Sequence, residues 1–304
     1  MNMANTTLDQ SPVIEQDSVE SKSSNVLDRS IGDIIKDTRN LSAEQVQKIL
    51  AYQREKQVRF GEAAVALGFV SADDVLFALA QQFHYPYAAE ERRAASPELV
   101  TLNEPFSVQA EAFRAIRSQV MMRVFGETDV RRDALAIISP EQGDGKTFFA
   151  ANLAVALAQL GGRTLLVDAD MRSPRQHEVF NLTANAGLSS ILSGRSEAQV
   201  IQQVVGVPSL FVLPVGVVPP NPSELIERPA FGLLMRELAT KFDHVVVDTP
   251  AAVHGSDASV IASRCGAALI LARNNSSRVQ LLQGLVTSLT GSPAKLAGVI
   301  INEY

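Results

Sequence analysis

A glycine-bearing loop followed by a Lys-Thr pair is the stretch of this sequence best suited to chemistry. Residues 134–147 read ALAIISPEQGDGKT, and an apolar helical pattern, FFAANLAVALAQL, follows directly. A strand, a glycine loop and a helix form a phosphate cradle, because loop N–H groups and the helix N-terminus face the anion. Although Pro140 replaces the usual first glycine, we predict a P-loop that binds nucleotide through Gly143, Asp144, Gly145, Lys146, Thr147 and Phe148.

Carboxylates follow two predicted strands further along the chain. Asp168 and Asp170 come after the strand 164–167, with Arg172 two residues later, and Asp248 ends the strand 244–248. Ligands of open α/β sheets bind at the carboxyl ends of the strands. This pattern suits Mg²⁺ coordination and activation of an acceptor hydroxyl, with Asp248 holding the water shell of the metal. Alternatively, an Asp after a strand only caps the following helix.

The elements around these residues predict a doubly wound α/β fold. Apolar strands at 134–138, 164–167, 210–213, 244–248, 267–272 and 296–301 alternate with helical patterns, including 229–240 and 278–290. Such alternation is typical of a mainly parallel sheet with helices on both faces. We therefore expect five or six strands, with a Pro-rich loop at 217–225.

Composition limits the function. The net charge is −6 and no Lys/Arg-rich block is present, which argues against nucleic-acid binding. The single Cys265 excludes an internal disulfide and a cysteine-based zinc site, and suits a reducing compartment. No apolar run approaches the length of a membrane helix. We expect a cytoplasmic protein, for which any recruitment to the inner membrane goes through a partner.

The N-terminal third divides into three predicted segments. Residues 1–27 are Ser, Asn and acid rich, which predicts a disordered tail. Residues 28–88 contain two copies of a helical pattern, 31–53 and 60–82, in which a Ser caps the second helix of each copy. Residues 89–105 are small, charged and interrupted by proline, which predicts a linker before a domain at 106–304.

The helical repeat resembles the N-terminal domain of type II secretion and type IV pilus assembly ATPases. Some of those domains bind cyclic di-GMP, and the second copy here keeps Arg59 to Gly61, Gly68 to Val70 and Gln82 of that motif. The first copy has Ser30 where the motif needs arginine. The resemblance implies a cyclic di-GMP site, whereas a protein-docking module is the simpler interpretation.

Residues 106–304 resemble the bacterial tyrosine kinases of polysaccharide synthesis, which are paired with chain-length determinant proteins in the membrane. The resemblance rests on the P-loop and on Asp-Ala-Asp-Met-Arg at 168–172, Pro-Pro-Asn-Pro-Ser-Glu-Leu at 219–225 and Asp-Thr-Pro at 248–250. It also includes Glu111, Arg114 and Arg117, which share one stripe of a predicted helix. In that family the Glu-x-x-Arg-x-x-Arg pattern builds a ring-shaped homo-oligomer.

The resemblance implies a role for each residue of the site. Lys146 and the loop backbone would bind the phosphates of ATP, while Thr147, Asp170 and Asp248 would organise Mg²⁺. Asp168 would be the base for a tyrosine hydroxyl, although Asp168 and Asp170 can exchange roles. Arg172 would steady phosphate charge. The implied partner and activator is the membrane chain-length determinant protein, and the implied role is control of exopolysaccharide chain length, polymerisation and export.

Two alternatives to a tyrosine kinase remain open, and one sequence feature bears on each. These kinases usually end in a Tyr-rich tail, whereas this chain has only Tyr304 near that end, so Tyr304 is the candidate acceptor. An ATP-dependent assembly switch without kinase activity is therefore one alternative. A partitioning ATPase of the ParA or MinD type is another, but those enzymes need a second lysine where this chain has Glu141.

Overall fold

The computed structural model describes residues 30–82, 96–126, 133–195 and 200–303. The chain divides into two compact units, Met1–His84 and Tyr85–Tyr304. The predicted tail 1–27 and Tyr304 lie outside the described residues.

The described part of the first unit, residues 30–82, contains four helices in the two pairs that the sequence predicts. Hydroxyl caps begin the second helix of each pair: Ser42 Oγ accepts from the Gln45 N–H at 3.2 Å, and Ser71 Oγ accepts from the Asp74 N–H at 3.1 Å. Ile35, Ile49 and alanines 63, 64 and 78 form the centre of its core. The helices are α1 (Ile31–Thr38), α2 (Ala43–Lys56), α3 (Phe60–Ala66) and α4 (Ala72–Gln82).

A seven-stranded sheet forms the centre of the second unit, in the order β3-β4-β2-β5-β1-β6-β7. All its pairings are parallel except that of β3 with β4, which confirms the predicted mainly parallel α/β fold. The two-residue edge strand β3 was not predicted, because it is too short to show an apolar pattern. The strands are β1 (Ala134–Ile138), β2 (Thr164–Asp168), β3 (Gln202–Gln203), β4 (Leu210–Leu213), β5 (His244–Asp248), β6 (Gly266–Arg273) and β7 (Lys295–Asn302).

Helices cover both faces of the sheet and enclose two apolar cores. No helix among the described residues is long and apolar enough to cross a membrane. The helices are α5 (Val100–Asn103), α6 (Val108–Arg123), α7 (Lys146–Ala158), α8 (Gln176–Val179), α9 (Leu188–Leu192), α10 (Pro222–Glu227), α11 (Pro229–Lys241), α12 (Asp257–Cys265) and α13 (Val279–Thr290). The sequence did not predict α12, and it predicted a loop where α10 lies.

The end of the predicted linker 89–105 belongs to the second unit instead. Leu99 and Leu102 are fully buried in the core that α7 also lines. The buried Asn152 of α7 accepts hydrogen bonds from the backbone and hydroxyl of Thr101 at 3.0 and 2.9 Å. Its amide also donates to the Glu98 carbonyl at 2.8 Å. The linker prediction was wrong here because α5, only four residues long, shows no periodicity among its flanking prolines.

Candidate functional site

The P-loop connects β1 to α7 and has the backbone conformation of an anion site. Gly143 and Gly145 have φ angles of +85° and +96°, which L-residues rarely adopt. Gly145 also faces Asn302, and a Cβ placed on it would lie 2.6 Å from the Asn302 amide nitrogen. Glycine is therefore required at Gly145 for both its conformation and its surroundings.

Lys146 lies at the start of α7 with its ammonium inside the site. Its Nζ donates to Ser139 Oγ at 3.0 Å, and the side chain is almost fully buried. Burial lowers the pKa of Lys146, and the charges of Asp248, Asp170 and Asp144 act in the opposite direction. A desolvated ammonium among carboxylates is arranged to receive the charge of a phosphate.

Asp144 braces the loop with its side chain. Its carboxylate accepts from the Glu141 N–H at 2.9 Å and from the Ser277 hydroxyl at 2.7 Å. The Asn302 amide donates to the Asp144 carbonyl at 3.0 Å. The predicted nucleotide-binding role of Asp144 therefore does not extend to its carboxylate, which ties the P-loop to the segment after β6.

The side chain of Phe148 packs in the core and does not face the nucleotide site. Its ring packs against Phe113 of α6 with ring centroids 6.0 Å apart, and it joins the core beside α7. Phe148 thus anchors α7 through its side chain, and any contribution to nucleotide binding comes from its backbone.

Asp168 and Asp248 end adjacent strands, and the register of β2 and β5 places the two residues opposite each other. Asp168 is fully buried and accepts N–H bonds from Asp170, Arg175 and Gln176 at 3.1, 3.2 and 3.0 Å. Burial and the neighbouring Asp248 raise the pKa of Asp168 well above its usual range. The predicted base thus lies beneath the surface of the site, where backbone donors fix its orientation.

Asp248 keeps one oxygen for a ligand. Its Oδ2 accepts from the Gln176 amide at 2.9 Å, whereas its buried Oδ1 has no hydrogen-bond partner within the described residues. Burial raises the pKa of Asp248 to about 6, opposed by the hydrogen bond from Gln176, by the nearby Thr147 side chain and by the charge of Lys146.

The side-chain oxygens of Thr147 and Asp248 suit a hydrated divalent cation. Hard oxygen ligands and an orphaned buried carboxylate oxygen match the preferences of Mg²⁺, which keeps several waters and binds through substrate phosphates. No group of three His, Cys, Asp or Glu in the described part of the chain forms a self-sufficient metal site. Thr147 and Asp248 would therefore hold the metal together with a nucleotide.

Asp170 and Arg172 occupy the turn after β2. Asp170 is half-buried, and its Oδ1 accepts from the backbone N–H groups of Arg172 and Ser173 at 3.1 and 3.0 Å. The Arg172 guanidinium pairs with Asp257 at 2.8 Å and donates to Ser223 at 3.0 Å. Arg172 thus joins the starts of α10 and α12, and its role towards phosphate stays a prediction.

The charged stripe of α6 contacts its own chain. Arg114 pairs with Glu111 at 3.0 Å and also donates to the Pro105 carbonyl. Arg117 donates to the Ala156 carbonyl of α7 at 3.0 Å. The Glu111 side chain is 74% exposed, which leaves it accessible to a second subunit. The role of these residues in oligomerisation stays a prediction.

Sequence reasoning missed several residues that shape the site. Ser139 and Asn302 follow or end strands at the edge of the sheet where ligands bind, so the strand-end rule offered a signal for both. Gln176 had no such signal, because it lies on a short helix eight residues after Asp168.

Comparisons with known proteins agree with this geometry. The CobQ/CobB/MinD/ParA nucleotide binding domain family matches residues 135–304. CapB of Staphylococcus aureus, assigned provisionally as a tyrosine-protein kinase, is 36% identical over 218 residues, which are 71% of this chain and 92% of CapB. The tyrosine-protein kinase YwqD of Bacillus subtilis is 33% identical over 67% of this chain and 85% of its own length.

Some relatives are much longer. The tyrosine-protein kinase Wzc of Salmonella typhi is 29% identical over 70% of this chain, which spans only 29% of Wzc. The family model begins at residue 135 and therefore leaves the first unit outside its match. The likeness of that unit to secretion-ATPase domains and its binding of cyclic di-GMP gain no support from these comparisons.

Solved structures share the fold of the second unit. The chimerical protein CapA2B2 has a TM-score of 0.63 and 34% identity, over 74% of this chain and 97% of the chimera. The kinase domain of the Escherichia coli tyrosine kinase ETK has a TM-score of 0.64 and 29% identity, over 71% of this chain and 84% of that domain. The chain therefore belongs to the bacterial tyrosine-protein kinases of the CapB, Wzc and CpsD type, built on the CobQ/CobB/MinD/ParA nucleotide-binding domain.

Proposed function

We propose that this protein transfers the γ-phosphoryl group of Mg²⁺-ATP to tyrosine and thereby regulates exopolysaccharide chain length, polymerisation and export. The observation that carries the proposal is the buried Lys146 at the P-loop, on which the charges of Asp248 and Asp170 act, with Asp168 opposite Asp248 on the adjacent strand. Phosphoryl transfer requires mainly positioning and charge neutralisation, which such a site supplies.

In this proposal Lys146 and the loop N–H groups bind the phosphates, and Thr147 and Asp248 hold Mg²⁺, which neutralises charge on the phosphates. A carboxylate after β2 accepts the proton of the tyrosine hydroxyl. Asp168 is fully buried, whereas Asp170 is half-buried and hence open to a substrate. This difference favours the exchanged assignment, with Asp170 as the proton acceptor and Asp168 as the deeper member of the pair.

We also propose a homo-oligomer, a ring by analogy, and a membrane chain-length determinant protein as activator. Support comes from the relatives named above and from the exposure of Glu111. The isolated protein is then expected to be slow, because the partner segment orders the site. Full activity of the protein alone would contradict the need for a partner.

An ATP-dependent assembly switch is the second candidate. One observation favours it over a kinase that uses Asp168 as the base, since a buried carboxylate held by three backbone donors is shielded from a tyrosine hydroxyl. A switch requires nucleotide binding and assembly but no phosphotyrosine.

The test is incubation with Mg²⁺-ATP, with and without the cytoplasmic segment of the partner, followed by mapping of phosphotyrosine by mass spectrometry. Lys146→Met is the binding control, and Asp168→Asn and Asp170→Asn separate the two carboxylates. Phosphate on Tyr304, or on an added protein, that disappears with Lys146→Met supports the kinase. If nucleotide binds but no mixture yields phosphotyrosine, the kinase proposal fails and the assembly switch is the remaining candidate.

A further inference from the structure

Gln176, the first residue of α8, contacts all three elements of the nucleotide site. Its side-chain amide donates to the Thr147 carbonyl at 3.1 Å and to Asp248 Oδ2 at 2.9 Å. Its backbone N–H donates to Asp168 Oδ2 at 3.0 Å. Gln176 is fully buried, so these bonds form away from competing water.

The orientation of this amide follows from its neighbours. Both groups near Nε2 are acceptors, a carbonyl and a carboxylate, so the nitrogen rather than the oxygen must face them. Each hydrogen of the amide then has its own acceptor. Glutamate has no donor for either acceptor, and the shorter asparagine side chain cannot span both from the same backbone position.

One buried oxygen on each of these two residues remains without a donor. Gln176 Oε1 and Asp248 Oδ1 have no hydrogen-bond partner in the described part of the chain. Buried acceptors are normally paired, so two orphans on bonded neighbours indicate donors that come from a ligand. The water shell of a divalent cation supplies such donors.

We propose that Gln176 is a positioning residue for phosphoryl transfer, which fixes the carboxylate of Asp248 relative to Thr147 for the Mg²⁺ of the bound nucleotide. The proposal rests on the proposed function. Thr147 and Asp248 belong to different elements, α7 and β5, and Mg²⁺ demands near-ideal octahedral geometry. A single buried amide bonded to both elements keeps that separation constant.

The test compares Gln176→Met with wild type in the full-length chain. Methionine matches glutamine in length but offers no donor. The readout is the dissociation constant of ADP with Mg²⁺ and with EDTA, measured by calorimetry, so that binding is separated from catalysis. Outer-shell partners typically contribute about 10- to 100-fold to metal affinity. We expect Gln176→Met to reduce the Mg²⁺-dependent gain in ADP affinity by about tenfold and to leave the EDTA value unchanged.

Gln159→Met is the matched control. The Gln159 amide also donates to a backbone carbonyl, that of Thr101 at 3.1 Å, but it lies at the far end of α7. We expect this variant to keep the full Mg²⁺-dependent gain. If Gln176→Met fails to fold, as judged by thermal unfolding, Gln176→Asn serves instead, because it retains a polar amide that cannot bridge both acceptors.

The outcomes separate the two proposals. A Mg²⁺-dependent gain kept within twofold in the folded Gln176 variant would overturn the role of Gln176 and leave the kinase proposal standing. Wild-type protein that binds Mg²⁺-ADP but never forms phosphotyrosine would overturn the kinase proposal while the Gln176 result still stood. In a kinase assay, the variant should need more Mg²⁺ for half-maximal rate and approach the wild-type rate at saturating Mg²⁺.

Discussion

The Glu141 carboxylate at the entrance of the P-loop is held by Arg278, the residue just before α13. It accepts from the Arg278 backbone N–H at 2.9 Å, from Nε at 3.0 Å and from Nη2 at 2.8 Å. These hydrogen bonds keep the pKa of Glu141 below its usual value. The negative charge that the sequence places where partitioning ATPases carry a second lysine is therefore neutralised within the chain.

Removal of that guanidinium should weaken nucleotide binding. We expect Arg278→Met to raise the dissociation constant of ADP by about two- to fivefold, because an unpaired Glu141 would repel phosphate across a short, partly screened distance. The double variant with Glu141→Gln should recover most of the affinity. Lys241→Met, which breaks the surface pair with Glu237 on α11, is the control. Equal loss in the single and double variants would show that the charge of Glu141 has no effect.

Of the two equivalent glycines in the helical repeat, we expect Gly61 not to tolerate a side chain and Gly32 to tolerate one. A Cβ on Gly61 would lie 2.6 Å from Val75 Cγ1, whereas a Cβ on Gly32 would have its nearest contact, with the Phe60 ring, at 3.6 Å. We expect Gly61→Ala to destabilise the first unit by about 1–3 kcal/mol through overpacking of α3 against α4. Gly32→Ala should be neutral or stabilising. Hydrogen exchange of residues 30–82 in the full chain measures both, and equal protection in the two variants would contradict this packing.

The stability of the same unit should fall in acid. Burial acts to raise the pKa of Asp74, but hydrogen bonds from Arg39 and Ser71 outweigh it and hold the pKa below its usual value of 3.8. Ionised Asp74 therefore stabilises the fold above about pH 4, and the contribution disappears as the pH falls through the lowered pKa. We expect a loss of about 1 kcal/mol, as for a partly buried ion pair whose carboxylate also belongs to a helix cap.

Asp74→Asn isolates this contribution to acid stability. The variant should be less stable than wild type at pH 7, and the difference should shrink as the pH falls towards 2, as judged by hydrogen exchange at residues 30–82. A constant difference in stability between those pH values would show that Asp74 does not titrate as its contacts require.

A substitution at Glu111 should test oligomerisation with less effect on the fold than substitutions at the neighbouring arginines. Glu111 is mostly exposed, whereas Arg117 bonds to α7 of its own chain, so Arg117→Ala should also loosen the packing of α6 on α7. We expect Glu111→Lys to abolish higher oligomers in light scattering with little change in melting temperature. Glu237→Lys, in a similar intrahelical pair on α11, should leave the assembly unchanged. If both variants form the same oligomers as wild type, Glu111 is not part of the interface between subunits.

Short sequence patterns predicted those parts of the site whose residues are close together in the chain. The P-loop, most strands and the carboxylates that end β2 and β5 follow from apolar runs and the residues next to them. The partners of these residues come from distant elements: Gln176 contacts a residue 72 positions later, and Arg278 contacts one 137 positions earlier. No periodicity encodes such contacts, so the sequence predicted neither the pairing of Arg172 with Asp257 nor the hydrogen bonds of the Asp144 carboxylate.

The buried Asn152 sets the minimal length of an independently folding catalytic fragment. A truncated protein that begins at Phe106, at the predicted domain start, would delete Glu98 and Thr101 and leave the amide of Asn152 facing an empty groove on α7. Leu99 and Leu102 would be deleted as well, which would uncover apolar surface on the helix that carries Lys146. A fragment that begins at Ser96 keeps these contacts, and expression of the two fragments side by side would separate a well-folded catalytic unit from an aggregating one.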